Sequence, residues 1–105
     1  MATEPSERVG TKIMFENERV RVWDLKLAPG ESLDKHIHRT NYFFIVESGG
    51  LIRFANPDDL TDYRDVQFED DQVTFQEVGP AGKVDNRLTN IGPTRHRNYV
   101  IELKR

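Results

Sequence analysis

Two histidines, His36 and His38, stand one residue apart in the segment PGESLDKHIHRTNYFFIVESGG, residues 29–50. In an extended strand the side chains at i and i+2 leave the same face, so both imidazoles converge on one point while Ile37 points into the opposite layer. That is a metal-ligand arrangement. A tight divalent site commonly takes two histidines and a carboxylate on one face, with positions left open for substrate or oxygen. Asp34, two residues before His36, puts a carboxylate on the histidine face if the strand has already begun there. A surface pair of histidines would do nothing, but this one follows a Pro29-Gly30 turn and precedes the most apolar run in the chain, Tyr42 to Val46. One face of the pair should therefore enter a core, lining the mouth of a small barrel that holds one ligand.

The elements that must position it read as strands. Apolar residues recur at a period of two: Lys12 to Phe15, then Arg19 to Leu27, where Trp23, Leu25 and Leu27 share one face and Val20 and Val22 the other. Further runs follow at His36 to Val46, Leu51 to Ala55, Val66 to Phe68, Val73 to Val78, Val84 to Thr89 and Arg97 to Leu103. Turn residues punctuate them at Pro29-Gly30, Ser48-Gly49-Gly50, Asn56-Pro57-Asp58, Gly79-Pro80 and Gly92-Pro93. Eight or nine short strands with no helical period predict an all-β barrel or sandwich, a single domain over 10–105 preceded by a polar, poorly ordered tail over 1–9. The acidic run from Asp58 to Asp71 lacks the alternate-position ligands and central glycine of a calcium loop, and reads as a solvated insertion that keeps a hairpin soluble.

At 105 residues the chain has the size of one domain and one core. Its 15 basic against 18 acidic residues give a net charge of −3, a field that attracts no phosphate backbone, so nucleic acid is not expected as a partner. The absence of cysteine removes disulfides, thiolate nucleophiles and zinc-thiolate sites. Neither an export signal nor a membrane-inserting run is indicated, which makes the cytoplasm the expected location and no membrane the expected partner.

The spacing around the histidine pair resembles the first motif of the cupin superfamily, with Gly30, His36, His38 and Gly49 in register. The family's glutamate position, after three intervening residues, holds Tyr42. The stretch Gly79 to Asn90 is similar to the second motif through its proline, glycine and asparagine, with Asn86 where the family places its third histidine and Asp85 beside it. The Tyr after the histidine pair also resembles a subgroup of small bacterial cupins, some linked to β-alanine breakdown. The resemblance implies a cupin-type double-stranded β-helix, or jelly-roll, a divalent transition metal (iron, manganese, zinc or nickel), and a homodimer in which terminal strands pair. Phe15, Trp23 and Tyr99 then stand either at that interface or in ordinary core.

On that template His36 and His38 are the expected metal ligands, and four residues compete to complete the set. Tyr42 ligates only as a phenolate, and its ordinary pKa near 10 favours a ring packed in the barrel with its hydroxyl bonded to a histidine, or a general acid. Asn86 offers a neutral carbonyl oxygen, a weak ligand. Asp34 requires an early strand, and Asp85 requires a register shift that turns it inward. Asn86 and Arg87 are the remaining expected ligand-lining residues, Arg87 forming with Arg95 and Arg97 a basic cluster able to clamp a carboxylate at the rim. His96, beside them, reads as a surface or interface residue. The expected function is a cupin that binds a small molecule, with a metal-dependent dioxygenase or an isomerase/decarboxylase of a small carboxylated metabolite as the alternative.

Overall fold

The computed structural model describes residues 3–104. Its strands are β1 (Lys12–Glu16), β2 (Val20–Leu27), β3 (Ser32–Leu33), β4 (His36–His38), β5 (Tyr42–Ser48), β6 (Gly50–Asn56), β7 (Asp59–Phe68), β8 (Val73–Gln76), β9 (Lys83–Asp85), β10 (Arg87–Asn90) and β11 (His96–Leu103), with no helix among the described residues. They form a five-stranded sheet ordered β1-β2-β11-β5-β8, a four-stranded sheet ordered β3-β10-β6-β7, and a short pair β4-β9.

The period-two pattern carries this arrangement. Along β11 the burial alternates strictly, with His96, Asn98, Val100 and Glu102 inward. β11 pairs antiparallel with β2 on one side and β5 on the other, setting Val100 opposite Trp23 and Phe44. The core lies between the sheets: Trp23, Leu25, Leu27, Tyr42 and Val100 from one, Ile52, Phe54 and Leu88 from the other. Trp23 is thus core, its Nε1 donating to Glu102 Oε1 at 2.7 Å, whereas Phe15 stays exposed on the edge strand β1. Tyr99 lies half-buried on the outer face, beneath the Arg97 guanidinium at 5.1 Å.

Three segments depart from the expected elements. The run His36 to Val46 breaks at Arg39–Asn41, where Asn41 accepts the Val78 N–H through Oδ1 and the Leu103 N–H through its carbonyl. The acidic stretch is not an insertion but most of β7, paired with β6 and anchored by Arg53 on Asp65 at 2.7 Å. Its charges suit an edge strand, since they discourage pairing with another chain. Residues 3–9, expected as a loose tail, are laid against the barrel. Ser6 N–H bonds the Lys35 carbonyl at 2.9 Å, Ile37 N–H bonds the Ser6 carbonyl at 2.8 Å, and Val9 is 1% exposed. An unpaired edge on β4 supplies the physical reason, because its backbone groups need partners and this segment provides them.

Candidate metal centre

β4 is the three residues His36, Ile37 and His38, all buried. The N-terminal segment covers one edge and β9 the other, with His36 opposite Asp85 and His38 opposite Lys83. The β9 contact demands close approach at its start. A Cβ on Gly82 would fall 2.8 Å from Ile37 Cδ1 and 3.1 Å from the His38 carbonyl, and its φ of +83° is one that side chains rarely adopt.

This pairing turns Asp85 onto the histidines. Its Oδ2 lies 3.2 Å from His38 Nε2 and 3.5 Å from His36 Nε2, while Oδ1 accepts from Lys83 Nζ at 2.6 Å. One donor atom from each of the three residues lies within 4.8 Å of the others. The tautomers matter. His36 Nδ1 donates to the Asp34 carbonyl at 3.0 Å, so a neutral His36 presents a lone pair from Nε2 toward the carboxylate. Two acceptors face one another there, a conflict that a cation resolves. His38 carries a second unmet demand, since its Nδ1 is buried with no partner when Nε2 serves Asp85. With metal–ligand bonds of about 2.1 Å, neighbouring donors stand roughly 3.0 Å apart in an octahedral shell and roughly 3.4 Å in a tetrahedral one. The two histidine–carboxylate separations, 3.2 and 3.5 Å, fit. His36, His38 and Asp85 form a group able to hold a metal ion.

The electrostatics agree. Burial alone would raise the Asp85 pKa, but the neighbouring His36, His38 and Lys83 side chains outweigh it and hold the carboxyl well below the ordinary range. Burial pushes His38 down, only partly opposed by Asp85, so its imidazole is available as a neutral ligand. Burial, reinforced by the Asp85 charge, pushes the Tyr42 phenol well above its usual value. A phenol so strongly protonated makes a poor ligand. Tyr42 meets His38 face to face instead, with ring centroids 3.8 Å apart and planes 10° from parallel. The contact between them is through the rings rather than through the hydroxyl bond expected from the sequence.

The four competing residues are thereby separated. Asp34 is exposed and contributes its carbonyl, not its carboxylate. Asn86 falls in the break between β9 and β10 and lies outside the cavity wall, as does the exposed Arg87, whereas Asp85 and Leu88 both line the cavity. Inward positions three apart violate strict alternation. The irregularity at Asn86 absorbs the extra residue, as a bulge does, and it is this shift that turns Asp85 inward. The basic cluster also disperses: Arg97 forks onto Asp24 with both bonds at 3.0 Å, Arg95 pairs with Glu47, and neither faces the cavity. His96, expected at the surface or at an interface, is fully buried against Phe68. Lys83 and Asn98 were not singled out by their sequence context; the strict alternation of β11 places Asn98 inward, a signal overshadowed by its charged neighbours.

A cavity of about 50 Å³ opens between the sheets from this centre, walled by Leu25, Phe44, Phe54, Leu88 and Val100 and reaching Asn98.

By sequence the chain matches no protein-family model and no curated protein. By structure it is similar to cupins. A cupin domain from Bordetella pertussis superposes with a TM-score of 0.74 at 19% identity, covering 98% of this chain and 99% of that one. An RmlC-like cupin with a double-stranded β-helix fold from Methanocaldococcus jannaschii gives 0.64 at 16% identity, covering 95% and 86%. The polyketide cyclase RemF from Streptomyces resistomycificus gives 0.60 at 15% identity, covering 85% of this chain and 57% of that one. The fold is the cupin double-stranded β-helix.

Proposed function

We propose that this chain is a small-molecule-binding cupin whose ligand is held at a divalent metal bound by His36, His38 and Asp85. The observation that carries the reading is the convergence of two histidine Nε2 atoms and one carboxylate oxygen on a single point at the end of a largely apolar cavity. Two imidazoles and one carboxylate leave coordination positions free, the set used by iron, manganese, zinc and nickel alike. When bound, such an ion supplies Lewis acidity toward an oxygen of the ligand. The chain's own residues do the rest. Asp34 fixes the His36 tautomer through its carbonyl, Lys83 holds Asp85 ionised and aimed, and Tyr42 buttresses the His38 ring. A cavity of about 50 Å³ admits roughly four water-sized groups, which limits the ligand to a small molecule.

A metal-dependent enzyme is the second reading, favoured by the protonated phenol of Tyr42 beside the centre, a suitable hydrogen-bond donor or general acid. RemF, with the same fold, is a polyketide cyclase; a shared fold does not itself transfer an activity. Elemental analysis of protein purified without an affinity tag tests the common premise: about one transition metal per chain is expected. Neither native metal nor a rise in melting temperature with added Fe²⁺, Mn²⁺, Zn²⁺ or Ni²⁺ would remove the metal reading and leave an apolar ligand barrel.

We infer further that the working form is a homodimer. The outer face of the five-stranded sheet carries Phe15, Val22, Ile101, Phe43 and Phe75 in one cross-strand row, with Tyr99, Ile45 and Val73 in the next. Phe15 and Phe75 are each 55% exposed and Val73 63%. A contiguous apolar sheet face of this kind is covered in most soluble proteins, and a second copy supplies a matching one.

A further inference from the structure

The turn between β6 and β7 holds an acid that the metal reading does not use. Thr3 gives its N–H to both carboxylate oxygens of Asp58, at 3.0 and 2.8 Å, and its hydroxyl to Oδ1 at 2.7 Å. These bonds hold the Asp58 carboxyl below its ordinary range and so keep it charged. An acid needed only for solubility would be left to water. Asp58 instead takes every one of these bonds from a residue 55 positions earlier in the chain, which makes it a fastening.

What it fastens is the outer edge of β4. From Thr3 the chain runs to Ser6, whose N–H bonds the Lys35 carbonyl and whose carbonyl accepts the Ile37 N–H, one bond on either side of His36. Lys35 ties back to the start of the segment, its Nζ donating to the Thr3 carbonyl at 2.9 Å. No side chain from Thr3 to Arg8 is buried, and Val9 is the first that is. The segment is therefore a strap held by polar bonds, of the kind that opens locally while the rest of the fold stays closed. β4 depends on it. Its three residues otherwise pair only with β9, outside both larger sheets, and a two-stranded ribbon is marginal by itself. The Lys35 carbonyl that Ser6 holds also adjoins the Asp34 carbonyl that sets the His36 ring.

We propose that residues 3–8 clamp the metal centre and that Asp58 is their latch, a positioning residue that acts on His36 through Thr3 and Ser6. With the strap docked, His36 is aimed at the point it shares with His38 and Asp85. With the strap released, β4 loses the bonds on both sides of His36, and the site holds an ion less tightly. Such coupling is reciprocal, so an ion in the site holds the strap down. The proposal rests on the reading of His36, His38 and Asp85 as a metal centre.

Amide hydrogen exchange followed by NMR on the full-length protein tests it, because the Ile37 N–H bonds the strap itself. Without metal, Ile37 should exchange faster than the amides of β11, the central strand of its sheet, since the strap opens without global unfolding. Asp58→Ala, at an exposed position outside the cavity wall, should speed Ile37 exchange about tenfold, the worth of a hydrogen bond to a charged group. Saturating Zn²⁺, its content confirmed by elemental analysis, should slow Ile37 in the unmodified protein by about tenfold or more, as expected of an outer partner of a metal ligand. A local opening that leaves the site untouched would not respond to the ion at all, so this readout separates positioning from mere packing. Stoichiometric zinc with an Ile37 rate unchanged within twofold overturns the clamp while the metal centre stands. An Ile37 amide as slow as those of β11, or one that Asp58→Ala leaves unchanged within twofold, overturns the latch. Failure to bind zinc at all overturns the centre and the clamp together.

Discussion

Replacing Asp85 by Asn separates ligation from mere packing. The amide keeps the shape of the carboxylate and, through its NH₂, can donate to the histidine lone pair that the carboxylate only confronts, so the metal-free barrel should lose little stability. Metal binding should suffer badly. A ligand at a hundredfold excess over its Kd stabilises the native state by about 2.7 kcal/mol. For a domain of about 100 residues that raises the melting temperature by roughly 10–20 °C, taking about 4–8 °C per kcal/mol. Outer-shell partners of metal ligands are worth about 10–100-fold in affinity, so a direct carboxylate ligand is worth at least about 100-fold. At the same metal concentration the variant then sits near its Kd, and the stabilisation shrinks to about 0.4 kcal/mol, a shift of roughly 2–3 °C. Differential scanning calorimetry with and without Zn²⁺ measures both numbers. Tyr42→Phe serves as the control and should keep the full metal-induced shift, because its buried phenol is protonated and touches His38 through the ring. An Asp85→Asn protein that retains the full shift, or a Tyr42→Phe protein that loses it, would refute the assignment of ligands.

Burial depresses the His96 pKa, with the Gly49 and Ser48 backbone only partly offsetting it. In the unfolded chain the same histidine protonates near pH 6.5, so between that value and the lower native one the unfolded state binds more protons and stability falls as pH falls. Thermal melts from pH 7.5 to 5 should show the decline, and the His96 ring resonances should fail to titrate near 6.5; a native titration at the ordinary value would contradict it. Gly82→Ala forces a side chain into a left-handed conformation against Ile37 and should cost about 1–3 kcal/mol in urea unfolding, a neutral result being incompatible with β9 lying so close to β4. Light scattering at micromolar concentration should give twice the chain mass, and Phe43→Asp, in the middle of the apolar row, should halve it without unfolding the barrel. A monomer in the unmodified protein sinks the dimer.

The strands were legible because their periodicity is written in side chains that the core needs: Trp23, Leu25 and Leu27 alternate along β2, and all three are buried in the core. The histidine pair was legible for the same reason, two residues apart on one strand. What could not be read was anything that depended on where that alternation slips. Asp85 and Asn86 are adjacent, and strict alternation from Leu88 points Asn86 inward and Asp85 outward. The break at Asn86 reverses them, and it exists only because β9 leaves the four-stranded sheet to pair with β4. His96 was misplaced by its company, since Arg95 and Arg97 suggest a surface although both project away from the barrel interior. Residues 3–9 carry few apolar side chains, and their order rests on backbone bonds, on Val9 and on polar contacts such as that of Thr3 with Asp58, to which a composition argument is blind.

The position of Lys83 explains how two buried histidines and a buried carboxylate coexist before any cation arrives. Burial of the Asp85 carboxylate, with 13% of its side chain exposed, favours its protonated form, and a protonated Asp85 would be a spent ligand. Lys83, opposite His38 in the ladder and on the same face as Asp85, reaches Oδ1 and leaves Oδ2 free to face both imidazoles. The ammonium keeps the charge on the carboxylate without occupying the oxygen that faces the histidines. Lys83→Met should therefore weaken metal binding without removing a ligand, by the 10–100-fold expected of an outer partner, and the loss should deepen as pH falls because Asp85 then recovers part of its ordinary affinity for a proton. A Lys83→Met protein whose zinc affinity and pH profile match those of the unmodified chain would show that the contacts with His36 and His38 alone suffice to keep Asp85 ionised.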